Sequence, residues 1–177
     1  QGRQQCAGLL QKDVSGGRRS ASQAAEILDR IRATERYEDL SDCDFIVEAV
    51  FEDRAVKNDV IARTNAVLAP DAVFSSNTST LPISGLAEQS ADPKRFIGVH
   101  FFSPVHRMPL VEIIVGRETS EVTVARALDY VAQLRKTPIV VNDRRGFYTS
   151  RVFGTYWSEG QKMLSEGIHP ALIENAG

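Results

Sequence analysis

The segment Phe45-Ile46-Val47-Glu48-Ala49-Val50 is a near-continuous apolar run of strand length. Such a run fits a strand covered on both faces rather than one that alternates between core and water. Parallel strands joined by helices meet that requirement, because the crossovers lay a helix on each side of the sheet. The flanking sequence carries such helices. Upstream, Ala24, Ile27, Leu28 and Ile31 recur at helical spacing, with Ser20 or Ser22 as candidate N-cap. Downstream, Asp53 is placed to cap a helix with Val56, Val60, Ile61, Thr64, Val67 and Leu68 on one face, ending before Pro70. Residues 1–19 are polar and Gly-punctuated, and their modest apolar patch at Ala7–Leu10 suits the remnant of an amphipathic helix.

The alternation continues. Ala72–Ser76 reads as a short strand opening into the polar loop Asn77-Thr78-Ser79-Thr80, with Pro82 suited to start a short helix. Phe96–Phe102 and Leu110–Val115 are two further strands, and the two prolines between them, Pro104 and Pro109, exclude regular structure there. Ser120 caps a predicted helix with apolar Val122, Val124, Ala125, Leu128, Val131, Ala132 and Leu134, and Thr137–Val141 closes the unit as a strand. After Gly146 the period turns helical through Phe147, Arg151, Val152, Tyr156, Met163 and Leu164. The expectation is an α/β layered sheet over residues 20–141, followed by entry into a helical region.

Composition narrows the function classes. With 42% hydrophobic and 25% charged residues, 177 positions suffice for one sizeable core with a small appendage. A formal net charge of -2 gives no field that would draw nucleic acid or an anionic membrane. No apolar run approaches the roughly 20 residues of a membrane helix, so no membrane insertion is expected. Cys6 and Cys43 lack metal-ligand or CxxC spacing. A soluble, cytoplasmic protein in a reducing compartment is the expectation. The chain opens with Gln rather than Met, which is the expectation for a cut or incomplete chain.

In open α/β sheets ligands bind beyond the carboxyl ends of the strands. Glu52 and Lys57 follow the first strand and Asn77 to Thr80 the second; the plain readings are a helix N-terminal acid, a solvated lysine, and turn or cap residues. His100 is harder to place. It interrupts the apolar run Ile97–Phe102, where an imidazole is costly unless its nitrogens find partners. Taken alone it reads as a satisfied core histidine. Glu112, however, interrupts Leu110–Ile114 in the same way. If the two runs are antiparallel about the Ser103–Pro109 turn, pairing centred on His106 sets His100 opposite Glu112. A carboxylate on one imidazole nitrogen fixes the tautomer and aims the other nitrogen at a substrate. A base of this kind suits removal of a hydroxyl proton as hydride leaves an alcohol carbon, and Ser79 is a candidate to bond the same oxygen.

Three blocks, Phe45–Asp53, Ser76–Leu81 and Gly98–Val105, resemble successive motifs of the L-3-hydroxyacyl-CoA dehydrogenases in order and spacing. Met108–Ile114 looks like the dehydrogenase part of multifunctional fatty acid oxidation proteins. The resemblance implies NAD-dependent oxidation of an L-3-hydroxyacyl-CoA to the 3-ketoacyl-CoA. It implies His100 as general base, Glu112 as its partner and Ser79 on the substrate oxygen. Ala49, Glu52, Lys57, Asn77 and Ser103 would line the NAD. Gly146–Arg151 resembles the family's entry into its helical C-terminal domain, where many members carry Asn at the place of Ser150; the shorter hydroxyl makes Ser150 a weaker substrate contact. The family's opening strand and Gly-x-Gly-x-x-Gly phosphate turn have no match, since Ser15-Gly16-Gly17-Arg18 is a Gly pair in a polar loop.

The expected organisation is a partial Rossmann-like NAD-binding domain over 1–143, lacking its first strand and glycine-rich turn. The first helix or helices of an all-α domain would follow over 144–177. The implied partners are an acyl-CoA substrate and, for a full-length protein, a dimer mate or a fatty acid oxidation complex. A non-catalytic binding or structural remnant is the alternative, supported by the missing phosphate turn. A dehydrogenase of free hydroxy acids is a third reading, but it would need a site Lys in place of the His–Glu pair.

Overall fold

A computed structural model describes residues 1–177 and divides them into two compact units, Gln1–Asp39 and Leu40–Gly177. The first holds helices α1 (Gly2–Ser15) and α2 (Ala21–Asp29). The apolar patch at Ala7–Leu10 thus lies within a longer helix than its hydrophobicity alone suggested. Gly17, at φ 71°, turns the chain, and Asp13 draws in Arg18 and Arg19 beyond the turn. Ser20 then opens α2 with a capping box: its side chain accepts from the Gln23 amide while the Gln23 side chain accepts from the Ser20 amide.

The second unit is built on a five-stranded sheet in the order β1 (Phe45–Glu48), β2 (Val73–Ser76), β3 (Phe96–Phe101), β4 (Leu110–Val115) and β5 (Thr137–Asn142). The β1–β2–β3 and β4–β5 pairs are parallel and β3–β4 is antiparallel. The expected mixture of strand and helix is therefore present, as a Rossmann-like sheet whose first strand is preceded only by helical segments. Helices α3 (Arg54–Asn65), α4 (Ile83–Ala87) and α5 (Glu121–Gln133) cross between strands. Asp53 and Ser120 cap α3 and α5 through their side chains. Helices α6 (Thr149–Ser165) and α7 (Pro170–Ala176) follow the sheet within the same compact unit.

Side chains alternate across the sheet. Phe74, Phe96 and Ile114 pack with Ile61, Ile83, Leu86 and Phe147 on one face. Val73, Ile97, Val99, Val111 and Ile113 pack with Ala127 and Val131 of α5 on the other. Two helix faces differ from the apolar pattern. In α3 the buried stripe is Lys57, Ile61 and Thr64, while Val56 is exposed. In α5 it is Thr123, Ala127 and Val131, while Val122 and Leu134 point outward. Both rotations accompany polar bonds: Thr123 donates to the Lys94 carbonyl in a partly buried position, and Lys57 meets a buried carboxylate described below. No helix is long and apolar enough to cross a membrane.

Gly98 lies against Ile83 of α4. A Cβ there would stand 2.8 Å from both Ile114 Cβ and Ile83 Cδ1. Gly98→Val is expected to lower the urea unfolding midpoint by an amount worth about 1–3 kcal/mol, the range for overpacking a dense core.

Candidate active site

His100 and Glu112 are direct partners in the antiparallel ladder, on the face that carries Phe96 and Ile114. His100 Nδ1 stands 2.8 Å from Glu112 Oε2. Glu112 is fully buried and His100 nearly so. The imidazole rests against the rings of Phe102 and Phe147, at centroid distances of 4.7 and 6.0 Å.

Glu112 has three further donors, all from the start of α6. Its Oε1 accepts from the amides of Tyr148 at 3.1 Å and Thr149 at 2.8 Å, and its Oε2 accepts from the Thr149 hydroxyl at 2.9 Å. Burial pushes the carboxyl upward, but the bonds from His100, Thr149 and Tyr148 outweigh it and hold the group below its ordinary value. An ionised Glu112 only accepts, so Nδ1 must donate; the neutral ring then leaves Nε2 with its lone pair free. The chain reaches this geometry through Gly146 and Phe147, both left-handed at φ 73° and 46°. For the non-glycine Phe147 that conformation is strained. Its buried ring secures it, and the turn aims the next two amides at Glu112.

A second buried carboxylate lies at the carboxyl end of β1. Glu48 Oε1 accepts from Lys57 Nζ at 2.9 Å and from the Val50 amide at 2.7 Å; its Oε2 accepts from the Ser76 hydroxyl at 2.6 Å. Lys57 is 1% exposed, so the solvated-lysine reading does not hold. Its ammonium also meets the Val50 carbonyl and Glu52 Oε2, each at 3.3 Å. Glu52 Oε1 in turn accepts from the Thr78 hydroxyl, the Ser79 amide, and the amide and hydroxyl of Thr80. Its partial burial opposes ionisation, but those bonds and the Lys57 charge bring its pKa down to about 2. The loops after β1 and β2 are thereby locked together. Asn77 ties in the third strand, its Oδ1 accepting from the Phe101 amide at 2.8 Å.

The residues singled out in the sequence occupy this end of the sheet in different ways. His100 and Glu112 touch. Glu52 and Lys57 form one ionic cluster, with Lys57 behind Glu52 and shielded from solvent. Ala49, Ser79, Ser103 and Ser150 are exposed on the loops and at the start of α6. Ser150 lines an open, mainly apolar groove with Phe102, Met108, Leu110, Tyr148 and Phe153. Glu48, Ser76, Thr78 and Thr149 were not singled out. Glu48 carried the same signal as the pair, an acid inside an apolar run; the others look like ordinary turn and helix residues in sequence.

Nothing in this arrangement gathers three potential metal ligands. It presents a ring nitrogen beside a groove and, next to it, loops at the carboxyl ends of three parallel strands, the place where such sheets take a nucleotide. A family model described as 3-hydroxyacyl-CoA dehydrogenase, NAD binding domain, matches residues 1–144. The chain belongs to this family. Its family is thus one of NAD-binding domains. Among curated relatives, the fatty acid oxidation complex subunit alpha of Colwellia psychrerythraea is 43% identical over 167 residues, 94% of this chain and 23% of that protein. The protein of the same name from Pseudomonas aeruginosa is 44% identical over 173 residues, 98% of this chain and 24% of that one. The chain therefore spans about a quarter of the length of these relatives. Among solved structures, M. tuberculosis FadB2 superposes with a TM-score of 0.88 at 34% identity, covering 95% of this chain and 60% of that one. The 3-hydroxybutyryl-CoA dehydrogenase of Escherichia coli gives 0.90 at 28% identity, covering 94% of this chain and 35% of that one.

The Glu48–Lys57 pair is the family member's most deeply buried ion pair. Glu48→Ala would leave the ammonium inside with only part of its neutralisation, at a cost of about 3–5 kcal/mol. The thermal midpoint should fall accordingly, and Lys57→Met in the Glu48→Ala background should recover part of the loss.

Proposed function

We propose that this chain carries the catalytic base of an NAD-dependent 3-hydroxyacyl-CoA dehydrogenase that oxidises L-3-hydroxyacyl-CoA to 3-ketoacyl-CoA in fatty acid β-oxidation. The observation that carries the reading is the 2.8 Å contact of His100 Nδ1 with a buried, multiply bonded Glu112, which leaves Nε2 as the free basic nitrogen. His100 takes the hydroxyl proton at Nε2, and Glu112 stabilises the imidazolium that results. The chemistry NAD supplies when bound is acceptance of the hydride from the same carbon, so that alcohol becomes ketone with one proton and one hydride accounted for. Ser79, on the loop pinned by Glu52, bonds the substrate oxygen. Ser150 is a lesser contact at the rim of the groove, which receives the acyl portion.

Ala49, Glu52, Asn77 and Ser103 line the nicotinamide side in this reading. Lys57 serves the cofactor from behind, by holding Glu52 and the Val50 carbonyl. The fit is supported by the loops after β1, β2 and β3, which adjoin in sheet order and are cross-tied by Glu48, Glu52 and Asn77. We further assign residues 1–143 to the NAD-binding domain and 144–177 to the start of a helical C-terminal domain. The full-length protein acts in the cytoplasm as a dimer or as part of a fatty acid oxidation complex, by likeness to the relatives named above.

The test is titration with NADH and acetoacetyl-CoA, following reduced nicotinamide absorbance. Turnover that falls about 100-fold or more in His100→Ala, the range for losing a general base, is the expected result. Absence of NADH binding would instead favour a non-catalytic module.

A further inference from the structure

Glu112 divides its four bonds evenly. Oε1 faces two backbone amides, of Tyr148 and Thr149, which any residue but proline at those positions would supply. Oε2 faces the imidazole and the Thr149 hydroxyl, at 2.8 and 2.9 Å. The two amides already fix the carboxylate's position, so the hydroxyl is an additional donor, and it falls on the oxygen that serves the base. We propose that Thr149 is a positioning residue for His100: through its hydroxyl it shares Glu112 Oε2 with the ring and limits how strongly that oxygen holds the imidazole. The inference rests on the reading of His100 as the base.

Donors on one carboxylate oxygen compete for its charge. Removing the hydroxyl concentrates Oε2 on the ring, which then keeps its proton more tightly. The surroundings leave few other groups to produce such an effect. From β3 and β4 the ionisable groups are the pair itself. Phe102 and Phe147 bring only rings. The segment leading into α6 brings Asp143, Arg144, Arg145 and the exposed Tyr148 phenol, and the first turn of α6 brings Arg151; Asp143 is committed to the amides of Ile83 and Ser84, and none of the arginines is ion-paired to Glu112. Lys57 of α3 is committed to Glu48 and Glu52.

The experiment is a pH titration of the full 177-residue chain labelled with 15N-histidine, in which only three histidines need assignment. Thr149→Val should move the His100 midpoint upward by ~0.5–1 pH unit, while Thr149→Ser, which keeps the hydroxyl, should stay within ~0.2 unit of the parent. Should the valine chain fail to fold by circular dichroism, Thr149→Ala is read in the same way. A hydroxyl-free variant that titrates like the parent would overturn the proposal, as would a serine variant displaced as far as the valine one. Loss of NADH binding or turnover would count against the dehydrogenase reading and leave this titration unaffected.

Discussion

The Glu112 carboxylate is the joint on which the site depends. A carboxylate without solvent contact must find donors for both oxygens or give up its charge. Here β3 supplies one donor and the start of α6 supplies three. The same group therefore orients the imidazole and ties the start of α6 to β4. The left-handed turn at Gly146 and Phe147 is local strain accepted for that arrangement, with the buried Phe147 ring holding it in place.

Glu48 repeats the principle on the same face, at the β1 edge of the sheet. Its register partner is Ser76, which is in turn opposite Gly98, and Gly98 faces Ile114 beside the Glu112 row. A polar network thus runs along one end of an otherwise apolar face, from the Glu48–Lys57 pair through the Glu52-pinned loop. Such networks stabilise only when fully satisfied; the bonds to Val50, Ser76 and Thr78 meet that condition and tie together the loops after β1 and β2.

Much of this was legible in the sequence, and for a physical reason. Strands have a period of two and a turn fixes their register, so two ionisable residues equidistant from His106 were bound to meet if the runs paired. The caps at Ser20, Asp53 and Ser120 were readable because a short polar side chain before a periodic segment has few other uses. Helix faces were harder. Apolar periodicity placed Val56 inside and left Lys57 to solvent, whereas a carboxylate on the adjacent strand drew Lys57 in. Thr149 was invisible because its role depends on where the Gly146 turn sends the chain, which the spacing does not encode. The domain assignment at 143/144 and the roles of Ala49, Ser79, Ser103 and Ser150 rest on resemblance, since exposed side chains without partners carry no geometric argument.

An ionised Glu112 that accepts from Nδ1 leaves Nε2 without a proton, which is what the proposed role of His100 as base requires. Proton-coupled 15N spectra of the His100 ring, recorded on the alkaline side of its titration, test it most directly. The predicted result is a proton on Nδ1 and a pyridine-type Nε2. A neutral ring protonated at Nε2 would contradict the account.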